Sequence, residues 1–155
     1  MTALLHAIDL HKQYRLPRET LFGTRPTVQA LDGVGFTLQR GRSLGLVGES
    51  GSGKSTLARL VMALETPSAG QVLFDGQDLH TLDAAALRRA RAGFQMVFQD
   101  PYGSLDPRRK VMQTVAEPLA VLHGASASEQ RGRAVEVLDA VGLRAADLDK
   151  YPHEF

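Results

Sequence analysis

The chain has 155 residues, 43% hydrophobic and 23% charged, with a formal net charge of +1. That is enough for one domain with a sizeable core, in the composition range of soluble globular proteins, and the near-neutral balance excludes a global field for nucleic acid. No cysteine occurs, which excludes a disulfide framework and a thiolate metal site and fits a reducing cytoplasm; no apolar run approaches the ~20 residues of a membrane span, and no signal peptide is visible at the start.

Two half-buried strands are expected first. Leu4, Ile8, Leu10 and Tyr14 share one parity, as do Val34, Phe36 and Leu38. Between them, Arg15 to Thr27 carries Pro17, Gly23 and Pro26 and is read as either a functional or a mobile loop. Asp32-Gly33, Arg40-Gly41 and Asp75-Gly76 each supply a residue tolerant of positive φ, and the last of them puts Gln71-Val72-Leu73-Phe74 in a hairpin.

Leu44-Gly45-Leu46-Val47 is a short apolar run of the kind a buried strand needs, and it enters Gly48-Glu49-Ser50-Gly51-Ser52-Gly53-Lys54-Ser55-Thr56 directly. That stretch fills the Gly-x-x-x-x-Gly-Lys-Ser/Thr pattern. Its glycines let the backbone curl around a polyphosphate with N–H groups pointing inward, and a helix starting there adds about half a positive charge from its dipole. Lys54 has the reach for β- and γ-phosphates, and the Ser55 hydroxyl can replace one water on Mg²⁺. Leu57, Leu60, Val61 and Leu64 recur at helical spacing downstream. A Gly/Ser-rich surface linker would need neither flanking element.

A helix is expected over Asp83 to Arg91 and a strand over Phe94 to Phe98, ending in Gln99 and an Asp100-Pro101 turn. Arg88, Arg89, Arg91 and Arg108-Arg109-Lys110 are local basic clusters, read as solvated faces, and no nucleic-acid partner is expected. Beyond Pro101 the pattern turns helical. Val111 to Leu122 is one helix, bent or interrupted near Pro118, and Ser128 to Val141 is another, with Val135, Leu138 and Val141 on one face and Gly142 as its stop. The expected division is residues 1–100 as a nucleotide-binding core containing an antiparallel β subdomain, and 101–155 as a partial helical subdomain.

Taken together, Tyr14, Ala30-Leu-Asp-Gly-Val34, Leu46 to Thr56, Val97-Phe-Gln-Asp-Pro-Tyr-Gly-Ser-Leu-Asp-Pro107 and Tyr151-Pro-His-Glu-Phe155 resemble an ATP-binding cassette (ABC) transporter ATPase, within it the dipeptide, oligopeptide and nickel importer group. The resemblance implies an α/β P-loop NTPase fold, ATP and Mg²⁺ as cofactors, and a seat on the cytoplasmic face of the inner membrane. The implied partners are a second ATPase subunit (homo- or heterodimer), transmembrane permease subunits and, indirectly, an extracytoplasmic binding protein. It makes Tyr14 the aromatic that stacks on adenine, with a strand-face packing residue as the alternative. Gln99 matches the glutamine that joins the Mg²⁺ shell and orients water, with Tyr102 to Arg108 near the membrane partner or simply an ordinary turn.

Hydrolysis in such proteins also needs an apolar strand ending in Asp-Glu, a switch histidine and a Ser-Gly-Gly-Gln signature, and none is in this sequence. Leu73-Phe74-Asp75 imitates the strand but reads as a hairpin, and Val137-Leu138-Asp139 has helical surroundings. His6, His11, His80, His123 and His153 read as structural or surface residues. The resemblance runs up to the point where the signature would follow, so the expectation is a truncated half-cassette with exposed sheet edges, marginally stable and without ATPase activity. Three functions compete: the ATP-energised import subunit; a soluble P-loop kinase or GTPase, for which the guanine-reading Asn-Lys-x-Asp is absent because the chain has no Asn; and a non-catalytic nucleotide-binding remnant, marked by ATP stabilisation of about 2.7 kcal/mol at a hundredfold excess over Kd without turnover.

Overall fold

A computed structural model of the chain describes residues 3–17, 25–100 and 103–155. Positions 18–24 of the loop, Pro101 of the expected turn and Tyr102 of the expected partner-contact segment lie outside the described residues. The chain divides into two compact units, Met1–Phe94 and Gln95–Phe155, so Gln95 to Asp100 group with the second unit rather than with the first.

In the first unit, strands β1 (Ala3–Arg15), β2 (Thr27–Gln39), β3 (Ala69–Phe74) and β4 (Gln77–Asp78) form one antiparallel sheet in the order β2-β1-β3-β4. β1 pairs on both sides, Ala7 opposite Phe36 of β2 and Val72 of β3. The strands form as expected, but the single-parity face of β1 does not. Asp9 sits at φ 46 and the register shifts between Ala7 and Leu10, so Ala7 and Leu10, of opposite parity, are both buried. A bulge inserts one residue and moves every later side chain to the other face. β2 shifts register as well, between its pairings of Leu31 with Lys12 and Val34 with Leu10, and it turns Leu31, Val34 and Phe36 toward the same core. The β3–β4 hairpin closes through Asp75 (φ 47) and Gly76 (φ 80), the two left-handed residues that a type I′ turn needs.

Helix α1 (Lys54–Val61) lays Leu57 and Leu60 into this core beside Leu10, Val72 and Leu79. Each fully buried leucine contributes about 1.5–3 kcal/mol. Eight residues are too few for a helix to persist in water unaided, so this burial is what holds α1. It ends before Leu64, which is exposed, because Ala63 turns to φ 50. Helix α2 (Ala84–Arg91) follows, with the Asp83 carboxylate accepting from the Ala86 N–H at 2.7 Å.

Two expected strands are absent. Leu44 to Val47 and Phe94 to Phe98 have no regular structure, and Val47 and Val97 are 92% and 91% exposed. Among the described residues no strand pairs with either, and an apolar run becomes a strand only where another backbone takes its N–H and C=O groups.

In the second unit, α3 (Val111–His123) continues through Pro118 without the interruption that was one of the two expectations there, and ends at the left-handed Gly124. Helix α4 (Ala127–Ala140) buries Ala134 and Leu138 against Leu148, with Val135 partly buried beside them. Val141 does not share that face; it lies past the helix end and is 69% exposed. The Asp147 carboxylate is buried under the Lys150 ammonium at 2.7 Å and accepts from the Arg144 N–H at 2.8 Å, which together hold it below the usual carboxylate range. No described helix is long and apolar enough to cross a membrane.

Candidate functional site

The glycine-rich loop occupies residues 48–53, and α1 starts directly after it. Gly53 is the N-cap at φ 90, a left-handed conformation that a side chain would strain. A Cβ there would also stand 2.5 Å from the Ala30 carbonyl oxygen and 2.8 Å from Leu31 Cδ2, so only glycine lets the loop lie against β2. No side chain caps α1 and no acidic residue lies in its first turn. Among the described residues, its leading N–H groups and positive dipole end therefore have neither a capping side chain nor a first-turn carboxylate.

The Lys54 ammonium folds back into the loop and donates to the carbonyls of Gly48 at 2.7 Å and Glu49 at 2.6 Å, with Ser52 Oγ at 3.3 Å. Ser52 N–H closes the turn onto the Glu49 carbonyl at 3.2 Å. A cavity of about 320 Å³ opens over this loop, lined by Ser50, Gly51, Gly53, Lys54, Ser55 and Thr56 and, from β2, by Val28, Gln29 and Ala30. The loop residues named from the sequence thus converge: six line the cavity, while Gly48, Glu49 and Ser52 hold the lysine. The β2 wall had no signal in the sequence, because it arises from the chain folding back beside the loop.

Tyr14 stands opposite Val28 in the β1–β2 register, next to this wall. Its hydroxyl donates to Glu65 Oε2 at 2.7 Å, and the Lys12 ammonium lies 5.1 Å from its ring centroid. The Glu65 bond holds the Tyr14 phenol above its ordinary pKa, with burial adding to it and the Thr56 hydroxyl pulling the other way; the same bond, with Lys12, holds the Glu65 carboxyl below its own. Glu65 and Lys12 were not singled out from the sequence. Gln99 lies in the second unit on an exposed bend.

A left-handed glycine where a side chain would collide, an uncapped helix end and a lysine resting on neutral carbonyls fit a phosphate chain. The Ser55 hydroxyl on the cavity wall fits one position in a Mg²⁺ shell otherwise filled by water and phosphate. Among the described residues no group of three or more His, Cys, Asp or Glu side chains could hold a metal ion without such help.

A glycine-rich loop opening into an uncapped helix, beside an antiparallel sheet and followed by a helical unit, defines a P-loop NTPase fold. Residues 31–155 match the ABC transporter family, and the chain belongs to that family. It is 46% identical over 152 residues to the dipeptide transport ATP-binding protein DppF of Escherichia coli (strain K12), covering 98% of this chain and 45% of that one. With the oligopeptide transport ATP-binding protein OppD of Mycobacterium tuberculosis (strain ATCC 25618 / H37Rv) it shares 44% identity over 147 residues, 94% of this chain and 24% of that one. Among solved structures, the ATP-binding cassette MJ0796 in a dimeric post-hydrolysis state bound to ADP and Pi superposes with a TM-score of 0.77 at 28% identity, covering 97% of this chain and 62% of that one. The chain spans about half the length, or less, of these curated relatives.

Proposed function

We propose that this chain supplies the ATP-binding part of an importer ATPase that couples nucleotide binding and hydrolysis to uptake of di- or oligopeptides, or of nickel. The observation that carries the reading is the open N-terminus of α1, with Gly53 left-handed against Ala30 and Lys54 resting on the Gly48 and Glu49 carbonyls. Sequence likeness to peptide-transport ATP-binding proteins supports the import role.

Bound ATP with Mg²⁺ would supply the phosphoanhydride whose cleavage drives transport. Lys54 exchanges two neutral carbonyl acceptors for charged oxygens, and charge-assisted hydrogen bonds are roughly twice as strong as neutral ones. The loop and first-turn N–H groups would bind the remaining phosphate oxygens, and Ser55 would contribute its hydroxyl to the metal. Tyr14 would offer its ring to the base, and Gln99, by the family resemblance alone, would act on metal and water. A second ATPase subunit closes over the nucleotide, permease subunits receive the motion on the cytoplasmic face of the membrane, and an extracytoplasmic protein delivers the cargo.

Titration of Mg·ATP into the 155-residue chain tests this. Lys54→Ala should weaken binding about ten- to a hundredfold, the value of one charged hydrogen bond, and neither protein should turn ATP over. Unchanged affinity in Lys54→Ala removes the loop as the site. Steady hydrolysis by the wild-type chain removes the reading of this segment as binding without turnover.

A further inference from the structure

We propose that Glu65 is a positioning residue for the nucleotide base, acting through Tyr14; this rests on the reading of the loop as an ATP site. Tyr14 is half-buried near the end of β1, outside the buried core cluster. What fixes it is polar and comes from 51 residues away: Glu65, just beyond α1, accepts the phenol hydrogen bond at 2.7 Å.

Glu65 is itself held. Lys12 Nζ lies 3.5 Å from its Oε2 and Arg59 Nη1 3.6 Å from its Oε1, and Lys12 also donates to the Thr66 carbonyl at 2.7 Å. Lys12 is shared by both partners, facing the carboxylate and the Tyr14 ring, so one cation sets the far end of the phenol and one of its faces. Arg59 belongs to α1, the helix whose first turn walls the cavity. The cluster therefore ties the ring to the same helix that ends at the phosphate cradle. A flat ring gains little from stacking unless it is already oriented, because ordering it on binding would consume the gain. Glu65 supplies that order in advance, and the ring face away from Lys12 is the one assigned to a planar base.

The test compares a ligand with a base to one without, using Mg·ATP and Mg·tripolyphosphate on the 155-residue chain, with thermal melts to check folding. Glu65→Ala and Tyr14→Phe should each weaken ATP about three- to tenfold, the range of one aromatic pairing, and leave tripolyphosphate affinity unchanged. The double variant should be no worse than either single one, and Glu65→Gln, which keeps an acceptor oxygen, should recover most of the loss. Should Glu65→Ala fail to fold, Tyr14→Phe and Glu65→Gln carry the same comparison. Wild-type ATP affinity in Glu65→Ala, equal losses for both ligands, or additive losses in the double variant overturns the proposal while leaving the ATP site standing. A wild-type chain that binds neither ligand overturns the ATP site itself, and the role of Glu65 with it.

Discussion

The first turn of α4 is closed by its own residues, Ser126 Oγ accepting from the Glu129 N–H at 3.4 Å while the Glu129 carboxylate accepts from the Ser126 N–H at 2.8 Å, whereas α1 begins at a bare glycine with no acidic group in its first turn. α4 is 14 residues long and helped by its cap; α1 has eight residues and depends on Leu57 and Leu60 in the core. Helix ends have the same unpaired N–H groups wherever they occur. Where the chain satisfies them itself, the helix is structural. Where it withholds a cap and invests in burial instead, the end is free for an anion from outside.

The contrast is most strongly broken at Gly53. Gly53→Ala should destabilise the fold by about 1–3 kcal/mol through the left-handed backbone alone, with the collision against Ala30 adding to it, and should abolish triphosphate binding; a chemical-denaturation midpoint equal to wild type would mean the loop rearranges freely. A smaller effect is expected at the closed end. Ser126→Ala removes the α4 cap and should cost about 1 kcal/mol with no change in triphosphate affinity, both readable from denaturation and titration of one sample.

The smallest effect is one of pH. The Ser126 hydroxyl, then the Ser126 N–H, hold the Glu129 carboxyl below its ordinary value. A carboxylate depressed in the folded state stabilises above the unfolded pKa of about 4.3 and loses that contribution as pH falls through the folded value. Wild type should therefore lose helix stability below about pH 4 more steeply than Glu129→Gln, followed by far-ultraviolet circular dichroism. Parallel acid titrations would remove the carboxylate from the cap.

The open end of α1 was legible because its chemistry is written in nine consecutive residues, and local pattern survives whatever the rest of the chain does. The strands were legible as strands, since alternation and turn residues are local too. Their faces were less so: the register shifts at Asp9 and beyond Leu31 each move side chains across the sheet, and nothing in the alternation of Leu4, Ile8, Leu10 and Tyr14 announces them. Leu44 to Val47 read as a strand because it is apolar, but pairing is a property of two segments and not of one. Val28 to Ala30 in the cavity wall and Glu65 under Tyr14 were invisible for the same reason, being neighbours only after folding. Pro118 signalled a bend or an interruption, and of the two the interruption does not occur, the helix continuing through it.

The sheet order has a consequence for synthesis. β1 is the inner strand of β2-β1-β3 and yet comes first in the chain, so one of its edges finds β2 across a short connection while the other waits for β3. Leu5 pairs with Phe74, roughly 70 residues later, which at a ribosomal rate of about 5–20 residues per second leaves that edge unpaired for several seconds. During that interval the loop and α1 emerge without Val72 and Leu79, the partners that bury Leu57 and Leu60, so the phosphate cradle sets only once β3 has joined the sheet.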